Sequence, residues 1–113
     1  MNPNGTVPVI KDDDFVLYES VAILQYLATT KGLQDPWFPT DPHERSKTLK
    51  FNSWYHGNIR SNVVLSAFFN SVAPLLGKEI QPERKAEAEA NVPRVLKTME
   101  RWIQENGGYV TGT

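Results

Sequence analysis

The sequence predicts an α/β corner, in which a β-hairpin leads directly into a helix, followed by a mostly helical body. Two observations carry this prediction. Within residues 6–23, two short β-branched and apolar runs flank an acidic segment, as expected for two strands and their turn. Beyond residue 42, apolar side chains recur at steps of three to five residues, which is typical of helices.

The hairpin is predicted from residues 6–10 and Phe15–Tyr18, joined by a charged turn at residues 11–14. Pro8 lies inside the first apolar run. Because proline cannot donate to a strand ladder, it is expected at a sheet edge, a strand start or a bulge. The short connection makes the two strands antiparallel.

The first helix is predicted to begin at Glu19 and to be terminated by Lys31 and Gly32. Its apolar side chains occupy more than one side, which indicates burial between layers or against another subunit. Residues 33–42 are predicted to form a linker, because three prolines within them disfavour a helix. Trp37 and Phe38 are large and apolar, so we expect this linker to pack down.

Two long antiparallel helices are predicted after the linker. The first has Asp41 as its N-cap and runs to about Val72. The second begins at Pro82, carries the clearest three/four apolar stripe in the chain, and ends at the glycines that follow Asn106. Pro93 inside it is expected to kink or restart the helix.

Composition narrows the classes of function. The chain has 113 residues, 40% of them apolar and 22% charged, which fits one ordinary globular domain by length. A net charge of −1 gives no electrostatic reason to expect nucleic acid or an acidic membrane as a partner. No apolar run approaches the ~20 residues of a membrane span, and the start lacks the regions of a signal peptide. A cytoplasmic protein is therefore the default expectation.

Metal and thiol chemistry find no support in the sequence. The chain has no cysteine, which excludes disulfides, thiolate metal sites and a cysteine nucleophile. The two histidines are too far apart for a local metal motif. The three adjacent aspartates of the turn do not converge as the ligands of a calcium loop do.

The Val7-Pro8 pair is the first candidate site. If its peptide bond is cis, the preceding backbone turns its N–H and C=O outward and can pair with an extended ligand. The alternative is an ordinary trans proline at an edge strand, which the general rarity of cis bonds favours.

Glu19 and Ser20 form the second candidate site, where the second strand becomes the helix. Helix N-terminal N–H groups suit a carboxylate, Ser20 adds a hydroxyl donor, and Glu19 can accept from an ammonium group. Together they suit the α-amino-acid end of a ligand; the alternative is that they only cap the helix. Arg60, beside aromatic residues on the long helix, is either a cleft residue or a solvated surface arginine.

The segments V-P-V-I and F-V-L-Y-E-S-V-A-I-L-Q-Y-L resemble the second half of the thioredoxin-like domain of cytosolic glutathione transferases. The flanking N-P-N-G and P-W-F-P-T-D-P-H-E-R are similar to the theta class in particular, and the resemblance continues through W-Y-H-G-N-I-R to the closing Y-V-T-G-T. It implies a thioredoxin-like half over residues 1–32, a linker over 33–42, and the first helices of an all-α domain over 43–113.

The resemblance also implies a site. Val7, ahead of a cis Pro8, would pair its backbone with the cysteinyl part of glutathione. Glu19 and Ser20 would hold the γ-glutamyl end, and Arg60 would border the active site. Glutathione would serve as co-substrate, without a metal, for conjugation to a small electrophile in a cytoplasmic, homodimeric detoxification enzyme.

Three departures from the family pattern bear on activity. Thr6 stands where many theta members have the basic residue that contacts the glycyl carboxylate. The N-terminal strand–helix–strand segment, which carries the catalytic serine, is absent, as are the helices that should follow T-G. We therefore expect an internal fragment that is inactive alone, with the catalytic donor upstream of Met1.

Two other classes compete with the enzyme. One is a non-catalytic binding or assembly module on the same fold, such as the transferase-like domain of a translation elongation factor subunit. The other is a plain helical domain with a hairpin. A Ser or Tyr at the end of the first strand would favour the enzyme, and a trans Val7–Pro8 bond would count against both family interpretations.

Overall fold

The computed structural model describes residues 2–111, apart from the side chain of Pro36. The chain divides into two compact units, residues 1–46 and 47–113, and each is described by itself. The domain boundaries predicted from the sequence stay predictions. The predicted tail ends with Gly112 and Thr113, which lie outside the described residues.

The first unit contains the predicted antiparallel hairpin. Strand β1 is Val9–Asp12 and strand β2 is Phe15–Tyr18. The second strand has the predicted bounds, but the first begins at Val9 and includes two residues assigned to the turn. The prediction that Pro8 lies inside the strand was wrong, because proline has no N–H to enter the ladder. The turn narrows to two aspartates, with Asp13 at a φ of 50°.

Helix α1, Ser20–Thr30, follows β2 after a single residue and packs on the hairpin. Ile23 and Ala28 are its buried side chains. The helix ends as predicted at Lys31, whose N–H bonds the carbonyl of Leu27.

The linker differs from its prediction in two ways. A short helical turn, α2, occupies Gln34–Trp37, although Asp35 within it is extended at φ −101° and ψ 127°. A proline early in a helical turn loses no hydrogen bond, while the residue before it is pushed out of the α region. Trp37 was expected to pack down but is 75% exposed. Phe38 instead packs against the guanidinium of Arg45, 5.0 Å from its ring centroid.

A long helical segment follows from Pro42 to Val72. It begins with helix α3, Pro42–Trp54, capped as predicted by Asp41 Oδ1, which accepts from the N–H groups of His43 and Glu44 at 3.0 Å. The backbone then widens into a π-helix, π1, at Tyr55–Val64. After a short α4, Leu65–Ala67, comes a second π-helix, π2, at Phe68–Val72. Side-chain periodicity predicted the helix but not its π-helical register.

Helix α5, Pro82–Glu105, is continuous through Pro93, so the predicted restart was wrong. Buried residues on both sides of the proline hold the helix together: Ala88 before it and Val95, the most buried side chain, after it. The helix ends as predicted at Asn106, where the N–H of Gly108 bonds the carbonyl of Ile103 at 2.8 Å.

In the second unit, α5 packs antiparallel to the long helical segment. Trp54 packs against Trp102 with ring centroids 4.7 Å apart and the rings tilted by 59°. Further along the segment, the Asn70 side-chain amide donates a hydrogen bond to Glu89 at 2.8 Å. Residues that come later along one helix therefore contact residues that come earlier along the other, as antiparallel packing requires. The core of this unit is formed by one aromatic and three smaller apolar side chains, namely Phe69, Ala73, Ala88 and Val95.

Candidate functional site

The predicted site residues of the first unit lie at the open end of the hairpin. Val9 and Tyr18 form the last ladder pair at that end, opposite the aspartate turn. The Val7-Pro8 pair leads into the ladder there, and Glu19 follows Tyr18 out of it. Beyond that pair the ladder ends, and Val7 and Ser20 each lie two residues past it along the chain. The hairpin therefore brings both candidate sites to one edge.

Val7 precedes a cis peptide bond to Pro8. The geometry implied by the sequence resemblance is therefore present. The Val7 side chain is 88% exposed, and its backbone N–H and C=O make no hydrogen bond to any of residues 2–111. This edge of the chain keeps one donor and one acceptor available.

Glu19 adopts a left-handed backbone, with φ 74° and ψ 112°. A positive φ is strained for a residue with a side chain, and such strain is often found at functional sites. Its carbonyl accepts the first helical hydrogen bond, from Ile23 N at 3.0 Å. Its exposed carboxylate makes no capping bond and no ion pair within the described chain. Helix capping therefore does not use this side chain.

Ser20 is the first residue of α1 and is half-buried. Its hydroxyl has no hydrogen-bond partner among residues 2–111. The backbone N–H groups of Ser20, Val21 and Ala22 are also unpaired there, since the first helical bond starts at Ile23. Unpaired N–H groups and the positive end of the helix dipole favour a carboxylate, with the Ser20 hydroxyl beside them.

Helix α1 contacts the turn end of the hairpin. The Tyr26 hydroxyl donates to Asp12 Oδ2 at 2.6 Å, and the Tyr26 ring packs on Phe15 with centroids 5.2 Å apart. This hydrogen bond, chiefly, raises the pKa of Tyr26 above its ordinary value. Nowhere in residues 2–111 do three metal-ligating side chains of the Asp, Glu, His or Cys type cluster.

Arg60 lies in π1 of the second unit, and its side chain is exposed. It lines a groove of about 760 Å³ between π1 and the first half of α5, together with Arg84 and Arg94. The last two arginines were not singled out from the sequence. No sequence signal marked them, because they lie in the polar part of the predicted helix.

The fold is similar to that of glutathione transferases. Residues 1–30 match the family described as Glutathione S-transferase, N-terminal domain. Human glutathione transferase T1-1 in its apo form superimposes with a TM-score of 0.82 at 31% identity, over 98% of this chain and 47% of that one. Human theta-2, in complex with glutathione, gives 0.83 at 26% identity, over 98% and 46%. The thioredoxin-like hairpin and helix followed by a helical region, as predicted, are confirmed.

More particularly, the chain is a homologue of the theta-class glutathione transferases along its whole length. It is 32% identical to glutathione S-transferase theta-1 of Bos taurus over 100% of the chain and 48% of that protein. It is 34% identical to glutathione S-transferase T1 of Arabidopsis thaliana, over 100% and 47%. The resemblance identified in the sequence is confirmed. The chain spans about half the length of these curated relatives.

Within the part of the chain that is described, no helix combines the length and the apolar character needed to cross a bilayer.

Proposed function

We propose that this chain is the glutathione-binding part of a glutathione transferase, with the ligand held at the open end of the hairpin. The observation that carries the proposal is the unused polar groups of that edge. Val7, Glu19 and Ser20 each keep hydrogen-bonding groups without a partner in residues 2–111.

In this proposal, Val7 pairs its backbone with the cysteinyl residue of glutathione. An extended peptide adds to an exposed strand edge through main-chain N–H and C=O groups, which supply affinity without side-chain demands. Val7 lies just outside the ladder, so the hairpin does not compete for these groups. Pro8 contributes because it has no N–H to donate to the ladder, so β1 begins at Val9 and the groups of Val7 stay outside it.

The γ-glutamyl end of glutathione carries one carboxylate and one ammonium group. The carboxylate is matched by the Ser20 hydroxyl and the unpaired N–H groups at the start of α1. The ammonium is matched by the free carboxylate of Glu19. The strained φ of Glu19 supports a ligand role, because a cap alone does not require it.

The reaction we propose for the whole protein is conjugation of glutathione to a small electrophile, with no metal. The thiolate is the nucleophile, and a hydroxyl donor near the sulfur lowers the thiol pKa without covalent catalysis. We assign that donor to no residue of this chain. The residues at the hairpin edge bind and orient glutathione, and Arg60 is retained as a residue bordering the electrophile side.

Homodimerisation, cytoplasmic location and a role in detoxification belong to the same proposal. The exposed apolar side chains of the first unit, such as Leu24 on α1, support a partner surface. The relatives reported above are named as transferases, and nothing among them favours the alternative of an elongation factor subunit.

Calorimetric titration of the chain with reduced glutathione tests the proposal. We expect Ser20→Ala to weaken binding by about 1–3 kcal/mol, because a hydrogen bond to a charged group is lost. Ser53→Ala is the matched control, since Ser53 is an exposed serine of α3 in the second unit. Equal affinities of Ser20→Ala and the unmodified chain would refute the assignment.

A further inference from the structure

Residues 2–6 lead into the Val7 backbone that is proposed to bind the cysteinyl part of glutathione, and one side chain organises them. Asn2 Oδ1 accepts a hydrogen bond from the Asn4 N–H at 2.9 Å. Asn2 Nδ2 donates to the Thr6 carbonyl at 2.8 Å and to the Thr6 hydroxyl at 3.0 Å. The side-chain amide of Asn2 therefore bridges the middle and the end of this segment.

The two backbone partners determine which way the Asn2 amide faces. A backbone N–H can only donate, so the amide oxygen faces Asn4, and a backbone carbonyl can only accept, so the amide nitrogen faces Thr6. The main chain folds in the same sense, because the Gly5 N–H donates to the Asn2 carbonyl at 3.1 Å and closes a β-turn. Asn at the first position, Pro at the second and Gly at the fourth are residues that a type I turn favours.

The hydrogen bond to Thr6 acts on Val7 through the peptide plane that the two residues share. This peptide bond is trans, so its C=O and N–H lie in one plane and point in opposite directions. A donor that holds the Thr6 carbonyl therefore fixes the direction of the Val7 N–H. That N–H is the group that can donate to the cysteinyl carbonyl of an extended ligand.

No other hydrogen bond holds this peptide plane within residues 2–111. The Thr6 carbonyl accepts only from Asn2 there, and the Val7 N–H has no partner. Thr6 and Val7 are both exposed, and the strand ladder begins only at Val9. An exposed backbone without such a bond samples several orientations, and ordering it when a ligand binds costs free energy.

We infer that Asn2 is a positioning residue for glutathione, which holds the Val7 N–H in the direction of the ligand. The inference rests on the proposed function, because it needs the cysteinyl residue of glutathione to pair with Val7. The contacts of Asn2 lie within the chain, so the free protein already has the arrangement that the ligand needs. None of them involves Glu19 or Ser20, so the γ-glutamyl end binds without the help of Asn2.

Two ligands that differ only in the group carrying the cysteinyl carbonyl test this inference. γ-Glutamylcysteine amide has that carbonyl, γ-glutamylcysteamine lacks the whole carboxamide, and both have the same net charge. We expect Asn2→Ala to weaken the binding of glutathione and of γ-glutamylcysteine amide about fivefold, the scale of one net hydrogen bond. Its affinity for γ-glutamylcysteamine should equal that of the unmodified chain. Calorimetric titration measures all of these affinities.

Asn4→Ala is the matched control, because Asn4 belongs to the same segment but its side chain makes no hydrogen bond among residues 2–111. This variant should bind all three ligands like the unmodified chain. Circular dichroism verifies that each variant is folded. If Asn2→Ala weakened both analogues equally, its role would be structural alone and the inference would be overturned. Unchanged binding of γ-glutamylcysteine amide by Asn2→Ala would overturn it too.

Ser20→Ala distinguishes a failure of this inference from a failure of the proposed function. Glutathione binding that depends on Ser20 but not on Asn2 would overturn the role of Asn2 and leave the proposed function intact. If the unmodified chain bound neither glutathione nor either analogue, both would be overturned.

Discussion

The Tyr26 hydroxyl donates a 2.6 Å hydrogen bond to Asp12 Oδ2, which ties helix α1 to the end of strand β1. Asp12 lies at the turn end of the hairpin, opposite the end where glutathione is proposed to bind. The contact therefore supports the orientation of α1 on the hairpin from the far side of the site.

High pH should weaken this contact. Because the pKa of Tyr26 is raised above 10.0, its contribution to stability is complete below about pH 10 and is lost as pH rises through the raised pKa. We expect Tyr26→Phe to have a lower Tm than the unmodified chain at about pH 8, and the difference to shrink as the pH rises through the raised pKa of Tyr26. Thermal unfolding followed by circular dichroism measures it.

Tyr109→Phe is the control for this titration, because Tyr109 is exposed and its hydroxyl has no hydrogen-bond partner in residues 2–111. Its Tm difference from the unmodified chain should be small at every pH. A Tyr26→Phe difference that stays constant from neutral to alkaline pH would contradict the hydrogen bond to Asp12.

Trp102 is expected to be the largest single contributor to the packing of α5. Its ring packs against Trp54, at 4.7 Å between centroids, and lies 4.9 Å from the Lys50 ammonium. Trp102→Ala should lower the free energy of unfolding by about 2–4 kcal/mol, less than for a fully buried tryptophan. Urea unfolding of the second unit measures it. Tyr109→Ala, at a mostly exposed aromatic residue of the same unit, should cost less than about 0.5 kcal/mol, and equal losses would contradict this account.

Asp41 should stabilise the start of α3 through its side chain. Its Oδ1 accepts from two N–H groups that have no partner within the helix. Asp41→Ala should cost about 1 kcal/mol of unfolding free energy, and Asp41→Asn, which keeps the acceptor oxygen, should retain most of it. Chemical unfolding of the three proteins makes the comparison. Equal losses in Ala and Asn would indicate that the carboxylate charge, and not the hydrogen bond, stabilises this end.

Local signals predicted most of the secondary structure correctly. Phe15–Tyr18 is a run of aromatic and apolar residues of the kind that favours strands, and Asp41 and Asn106 mark helix ends through hydrogen bonds that form within a few residues. The errors fall where local rules permit two outcomes. A proline such as Pro8 interrupts a strand ladder, but this rule does not predict whether the strand lies before or after the proline.

Long-range features were beyond the reach of the sequence. Arg60 precedes Arg84 by more than twenty residues, and only the packing of α5 on π1 brings both to one groove. The exposure of Trp37 likewise depends on which of two adjacent aromatic residues finds a partner, here Phe38 with Arg45. By contrast, the antiparallel hairpin was predicted from local signals, although its turn has two residues and not the four expected, so the register of Val9 with Tyr18 was not.

The most direct test of the central claim is an amide NMR titration of the ¹⁵N-labelled chain with reduced glutathione. We predict that the shifted amide signals are those of Val7, Val9, Glu19, Ser20 and Val21 at the open end of the hairpin. Cysteinylglycine, which lacks the γ-glutamyl group, should still shift Val7 but leave Ser20 unchanged. Saturable shifts confined to the second unit, or no shift at Val7 and Ser20, would contradict the account.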